Sequence, residues 1–322
     1  MPDPYTTGDV DPETASFNHE LEDTLARLPH ITTQPVEAVR RAREEGTSVF
    51  GPITPSLDAA WRKIPGPAGE VPVRVFAPDS ARGVYLHIHG GGFAVGSAVH
   101  HDTRLEAIVR ECGMAVVSVE YRLAPEHPYP AGPDDCEATA VWLAENALTE
   151  FGSDLLVIGG ESAGANLAAV TLTRMRDRHG FSDVAGANLV YGAYDLRMTP
   201  SAARWGHRPL IIDTPTMQWY TGMYLGRPAD ADPDTSPLFA DLGGFPPALF
   251  TVGTVDPLLD DTLFMYERWL AAGNEAELAV YPGGVHAFDA FDTPVARRAT
   301  SRIHHWLTAV VEAAAGTPPP LP

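Results

Sequence analysis

Apolar residues along the chain fall into two textures, and the alternation between them predicts the fold. Residues 71–76 alternate apolar and polar, as an edge or antiparallel strand does, and residues 83–89, 115–121 and 155–158 are short apolar runs suited to strands buried on both faces. Further strands are expected at 188–191, 248–255 and 277–281. Between them, residues 103–112, 134–145, 167–178, 260–272 and 294–312 carry apolar positions at helical spacing. Strands alternating with helices imply an α/β fold: a mostly parallel sheet with helices on both faces. Two segments break the rhythm. Residues 1–55 are polar and acidic, with helical patterns at 12–28 and 35–45 ended by Pro29 and by Gly51-Pro52. Some fifty residues separate the strand ending near Ala193 from the next, far more than one crossover needs, and they hold a single helical pattern at 215–225. The expected organisation is 1–55 as the N-terminal part of a cap, 56–195 as the first part of the core, 196–235 as the cap insertion and 236–322 as the rest of the core. Residues 317–322, with four prolines, read as a disordered tail.

Composition narrows the partners. At 322 residues the chain suits one large α/β core with a lid. Lysine and arginine total 22 against 42 acidic residues, a formal charge of -20, which disfavours nucleic acid and anionic membrane surfaces. Cys112 and Cys136 fall in separate helical patterns and are expected as free thiols. No apolar run approaches the roughly 18 residues that span a bilayer, and Met1-Pro2-Asp3-Pro4 starts neither basic nor apolar, so a cytoplasmic protein is expected.

The chemistry gathers at Gly160-Glu161-Ser162-Ala163-Gly164, between a buried strand and a helix. A serine on so sharp a turn projects its hydroxyl above the sheet, and side chains at 160 and 164 would clash. His89-Gly90-Gly91-Gly92 follows another strand, and its glycines leave backbone N–H groups open to a ligand. Gly91, Gly92 and Ala163 are the expected oxyanion donors. A serine nucleophile needs a base, and the base needs a carboxylate that holds its tautomer. His286, after the last strand, and Asp256, after the strand ending at Val255, stand in the order serine, acid, histidine. Asp260 and Asp261 compete with Asp256 but suit the opening of the next helix. Glu161 should point away from the serine hydroxyl and serve as a structural hydrogen-bonding group. The histidine pairs 87 and 89, 100–101 and 304–305 have spacings that a metal could use, but neither an H-E-x-x-H motif nor a cysteine cluster accompanies them. No metal and no cofactor are expected, and His89 is expected to brace the glycine loop.

These motifs, with Tyr121-Arg122-Leu123-Ala124-Pro125-Glu126-His127-Pro128-Tyr129-Pro130-Ala131 and Asp256-Pro257-Leu258-Leu259-Asp260-Asp261, resemble the bacterial hormone-sensitive-lipase-like esterases of the α/β-hydrolase fold from about residue 70 to the C-terminal helix. Glu161 stands where much of that family carries aspartate or threonine. The resemblance implies an eight-stranded sheet with its second strand antiparallel, a helical cap, and cofactor-free hydrolysis of small carboxylic esters of short to medium chain. An amidase, deacetylase or lactonase on the same residues is the main alternative, and a non-hydrolytic small-molecule receptor a more distant one. Phe93, Tyr194, Trp219, Met223 and Phe288 are the expected substrate-contacting side chains. Trp219 and Met223, four apart, would wall the acyl pocket or pack the lid. A homodimer is allowed.

Overall fold

The computed structural model describes residues 10–314 and Gly316; the expected tail at 317–322 and the first nine residues lie outside the described residues. Eight strands form one sheet in the order β1-β2-β4-β3-β5-β6-β7-β8. They are β1 (Ala59–Gly66), β2 (Gly69–Phe76), β3 (Val84–Ile88), β4 (Ala115–Val119), β5 (Leu156–Glu161), β6 (Gly186–Val190), β7 (Ala248–Val255) and β8 (Ala276–Val285). The strand β2 runs antiparallel to both neighbours, and β4 through β8 with β3 are parallel. The helices are α1 (Pro12–Ala26), α2 (Val36–Glu44), α3 (Asp102–Cys112), α4 (Ala131–Phe151), α5 (Ala163–His179), α6 (Pro200–Arg204), α7 (Thr214–Leu225), α8 (Leu259–Ala271) and α9 (Pro294–Ala314).

Side chains alternate across a strand, and here both faces are covered, which is why the inner strands read as unbroken apolar runs. Val84, Leu86 and Ile88 of β3 share one core with Leu143 of α4 and Leu167 of α5, while Tyr85, between them, joins the opposite core with Leu105 of α3 and Leu307 of α9. Cys112 and Cys136 are buried, unpaired, in α3 and α4. The pattern did not predict β1. Within it only Ile64 is buried, so its pairing with β2 through a tight turn, and not an apolar run, makes it a strand.

The two irregular segments lie against the core through specific bonds. Arg40 of α2 donates to the Ala94 and Ala124 carbonyls and to both oxygens of Glu126. His30 and Asp213 join the N-terminal segment to the insertion at 2.9 Å, and Asp213 also caps α7 by accepting from Thr216 N. Asp261, expected only as a first-turn charge of α8, is buried and accepts from the backbone N–H groups of Tyr194 and Asp195 and from the Thr199 hydroxyl. It ties the start of the insertion to α8.

Candidate active site

Ser162 sits between β5 and α5 with φ 57° and ψ −119°, a left-handed conformation that a side-chain-bearing residue adopts at a cost of about 1 to 3 kcal/mol. The surrounding backbone forces it. A Cβ on Gly160 or Gly164 would lie 2.2 or 1.9 Å from the Ile88 carbonyl oxygen at the end of β3, so only glycine lets the turn pack against that strand. Ser162 N donates to the Val190 carbonyl of β6, which fixes the turn from the other side.

Three side chains from three loops meet here. The Ser162 Oγ lies 2.9 Å from His286 Nε2, and His286 Nδ1 lies 3.0 and 3.2 Å from the two carboxylate oxygens of Asp256. An acceptor-only carboxylate fixes the tautomer: Nδ1–H donates to Asp256, leaving Nε2 to accept from the serine hydroxyl. Asp256 Oδ1 also accepts from Leu258 N at 2.8 Å, and the Tyr191 ring packs edge-on against the imidazole, 4.9 Å between centroids. Asp260 instead accepts from Ser201 N, so of the three carboxylates considered, Asp256 is the one that meets the imidazole.

Gly91 and Gly92 face the same space as Ser162, and among the described residues the N–H groups of Gly91, Gly92 and Ala163 have no acceptor. That of Ala163 is free because it opens a helix. His89 lies beneath the loop: its Nδ1–H donates to the Gly90 carbonyl at 2.8 Å, and its own carbonyl accepts from the Tyr121 hydroxyl, whose ring stacks on the imidazole at 4.2 Å. Burial holds the His89 pKa below its ordinary value, keeping the ring neutral.

Glu161 points away from Ser162 into a polar cluster. His87 Nε2 and His101 Nδ1 lie 2.9 and 2.7 Å from its two oxygens, and Arg104 donates to it at 2.9 Å. Burial alone would raise this carboxyl, but the N–H groups that His87 and His101 turn to it hold it well below the carboxylate range. His101 is neutral, its pKa held at about 3 chiefly by burial. Arg104 also pairs with Asp289, which accepts from the Tyr191 hydroxyl. One guanidinium thus bridges the residue before Ser162 and the residue three beyond His286. His87, His101 and Glu161 are the group whose donor atoms lie close enough to hold a metal, within 4.8 Å of one another among the described residues. Those atoms already bond each other, and the Arg104 cation stands beside them.

Above Ser162 opens a cavity of about 480 Å³, walled by the glycine loop, the N-terminal segment and the insertion. Its size lies within the range of small-ligand sites. Of the expected contact residues, Phe93 lines it; Tyr194, Trp219, Met223 and Phe288 do not. Tyr194 and Phe288 are buried beneath the site, against Phe250 and against Tyr191 and Tyr281 respectively. Trp219 and Met223 pack on the core: the cavity side of α7 is Met217, Tyr220 and Thr221, and at 100° per residue Trp219 and Met223 turn away from the middle of that side, although the Trp219 ring still meets the Tyr220 ring at 5.1 Å. Tyr220 packs so closely on the glycine loop that a Cβ on Gly92 would meet its ring at 2.3 Å. Tyr224, a turn further along, stacks on Phe93 at 3.9 Å. Arg104, Arg43 and the apolar N-terminal wall residues Leu28, Val49 and Phe50 carry no motif, so sequence reasoning passed over them.

The chain matches the alpha/beta hydrolase fold family over residues 85–290. It is 34% identical over 312 residues to the carboxylesterase NlhH of Mycobacterium tuberculosis, covering 91% of each chain. To the carboxylic ester hydrolase LipN of the same organism it is 36% identical over 244 residues, 72% of this chain and 64% of that one. Among solved structures, a hyperthermophilic esterase from the archaeon Pyrobaculum calidifontis superposes with a TM-score of 0.84 at 31% identity, covering 94% of this chain and 99% of that one. A hormone-sensitive lipase from a metagenome library gives 0.81 at 25% identity, over 94% and 100%. The chain belongs to the alpha/beta hydrolase fold family, and within it to the hormone-sensitive-lipase-like carboxylic ester hydrolases.

Proposed function

We propose that this carboxylic ester hydrolase works through Ser162 as nucleophile, His286 as general base and acid, and Asp256 as the carboxylate that orients and stabilises the imidazole. Ser162 Oγ attacks the ester carbonyl carbon while its proton passes to His286 Nε2. The oxyanion is held by the N–H groups of Gly91, Gly92 and Ala163. Collapse breaks the bond to the alcohol, which leaves with the proton from His286 and leaves the acyl group on Ser162. Water, deprotonated by the same imidazole, releases the acid and restores the serine. The route as written uses no cofactor and no metal. The observation that carries the proposal is the unbroken chain Ser162–His286–Asp256, with contacts of 2.9 and 3.0 Å, at the floor of a mainly apolar cavity.

The cap, expected at 1–55 and 196–235, is represented among the described residues by 10–55 and 196–235, and it sets the substrate range: Tyr220 and Met217 above the glycine loop favour acetyl to hexanoyl esters over long chains. A cytoplasmic enzyme agrees with two buried thiols left unpaired. No described helix is long and apolar enough to cross a membrane. The strand β8 ends the sheet, with α1 reaching it where Asn18 donates to the Gly283 carbonyl, and a second copy pairing along the rest of β8 would be read as a dimer by size-exclusion chromatography. The test of the activity is kcat/KM across 4-nitrophenyl esters of graded chain length, beside matched anilides and lactones. The proposal expects a maximum between acetyl and hexanoyl, and an anilide or lactone faster than every ester would overturn it.

A further inference from the structure

Arg43 differs from every other shielded arginine of the described chain. Arg40, Arg74, Arg104, Arg122, Arg174 and Arg176, the others not fully exposed, each pair with a carboxylate. Arg43, half-buried in the last turn of α2, lines the cavity above Ser162, and its side chain makes no hydrogen bond or ion pair among the described residues. The arginines that share this lack of a partner, Arg27, Arg41, Arg204 and Arg298, are all exposed to solvent.

Its surroundings make the missing partner informative. The guanidinium lies over the Phe50 ring, 4.4 Å from the centroid, and Phe50 itself stacks on Phe291. One face is therefore taken by an aromatic ring, while the edge that bears the N–H donors has no acceptor among the described residues. Burial, with the Arg104 charge acting in the same direction, lowers its pKa to about 10, so it stays cationic at neutral pH. The neighbouring His100 is neutral, held at about 3 first by burial and then by the Arg43 charge. The chain has 42 acidic residues, with Glu37 and Glu44 on the same helix, yet among the described residues no carboxylate pairs with this cation. A shielded guanidinium without an anion is costly, and the planar fork matches a carboxylate with two parallel hydrogen bonds.

We propose that Arg43 is an anion subsite of the cavity, and that the preferred substrates are esters carrying a carboxylate, on the acyl or the alcohol side, that pairs with its guanidinium. This rests on Ser162 being the nucleophile of the same cavity. The protein's overall negative charge opposes the approach of anions from a distance, so discrimination comes from the contact itself.

Two matched pairs test it. On the alcohol side, 4-acetoxybenzoate is compared with 4-acetoxybenzamide; on the acyl side, the 4-nitrophenyl monoester of adipic acid is compared with 4-nitrophenyl hexanoate. The wild type is expected to favour the anion in at least one pair by about tenfold in kcat/KM, the worth of a charge-assisted hydrogen bond. The pair that shows it identifies the side. Arg43→Met should reduce that ratio to near one and Arg43→Lys should retain part of it. Each ratio is read within one protein, so a general loss of activity cancels. A wild-type ratio at or below one in both pairs, or a ratio unchanged in Arg43→Met, overturns the proposal. Failure of the wild type to hydrolyse the neutral esters would instead count against the serine mechanism.

Discussion

Arg104→Met removes the cation that bridges Glu161 and Asp289. Each anion keeps other donors, Glu161 from His87 and His101 and Asp289 from Tyr191, and the arginine side chain is 28% exposed. Breaking a fully buried pair costs about 3 to 5 kcal/mol, so about 2 to 3 kcal/mol is expected here after allowing for that exposure and those remaining donors. With an unfolding entropy of about 2.1 cal/mol/K per residue over this length, Tm should fall by about 4 °C. The effect on rate should be larger than this suggests. Glu161 adjoins Ser162 and Asp289 follows His286 by three residues, so the bridge holds the two loops whose side chains meet at 2.9 Å. A misplacement approaching 1 Å costs up to about 100-fold, so kcat should drop by about 10- to 100-fold, while KM, set mainly by the apolar walls of the cavity, changes less. Arg104→Lys, a single point charge that cannot bridge both carboxylates, should fall between. The assay is kcat and KM on 4-nitrophenyl butyrate beside Tm by calorimetry. A variant that loses stability but keeps kcat within about twofold would show that Arg104 only packs, and the positioning argument would fail.

Two further predictions follow from other parts of the structure. Burial pushes the Asp261 carboxyl up to about 7 from an ordinary 3.8, so the native state binds a proton that the unfolded chain releases between those values. Its contribution to stability is therefore complete below about 4 and is lost as pH rises through about 7. Urea unfolding from pH 4.5 to 7.5 should show a decline in the wild type that is reduced in Asp261→Asn, and parallel curves would refute it. Tyr220→Ala should move the optimum acyl length upward, whereas Trp219→Ala, at a position that packs on the core and does not line the cavity, should leave the optimum in place and cost stability; the reverse result would mean that the helix face has been misassigned.

Much of the core could be read from the sequence because its signals are local. An apolar run, a glycine two residues to either side of a serine and a carboxylate just past a strand each report their own surroundings. Expectation and structure agree on the strands from β2 to β8, on the antiparallel β2, and on the encounter of Ser162, Asp256 and His286. The exposed edge strand β1 escaped because it buries little beyond Ile64. The start of α5 escaped because Ala163 to Asn166 are too small and too uniformly buried to show a helical period. Trp219 and Met223 illustrate a different limit: their spacing says that they share a face, but which face looks into the cavity depends on how α7 rotates against the core. The pairing of Arg104 with Asp289 spans 185 residues, and the lack of any partner for Arg43 is a property of the assembled cavity. Neither leaves a local trace.

The central claim is that the acyl group passes through Ser162. Mixing the enzyme with excess 4-nitrophenyl butyrate, quenching in acid within the first turnover and mapping peptides by mass spectrometry should place one butyryl group on the peptide that contains Ser162. Asp256→Asn should acylate at a rate lower by about 10³- to 10⁴-fold, and Ser162→Ala should carry no acyl group and release no burst of nitrophenol. A burst that survives in Ser162→Ala, or an acyl group found on any other residue, would contradict the account.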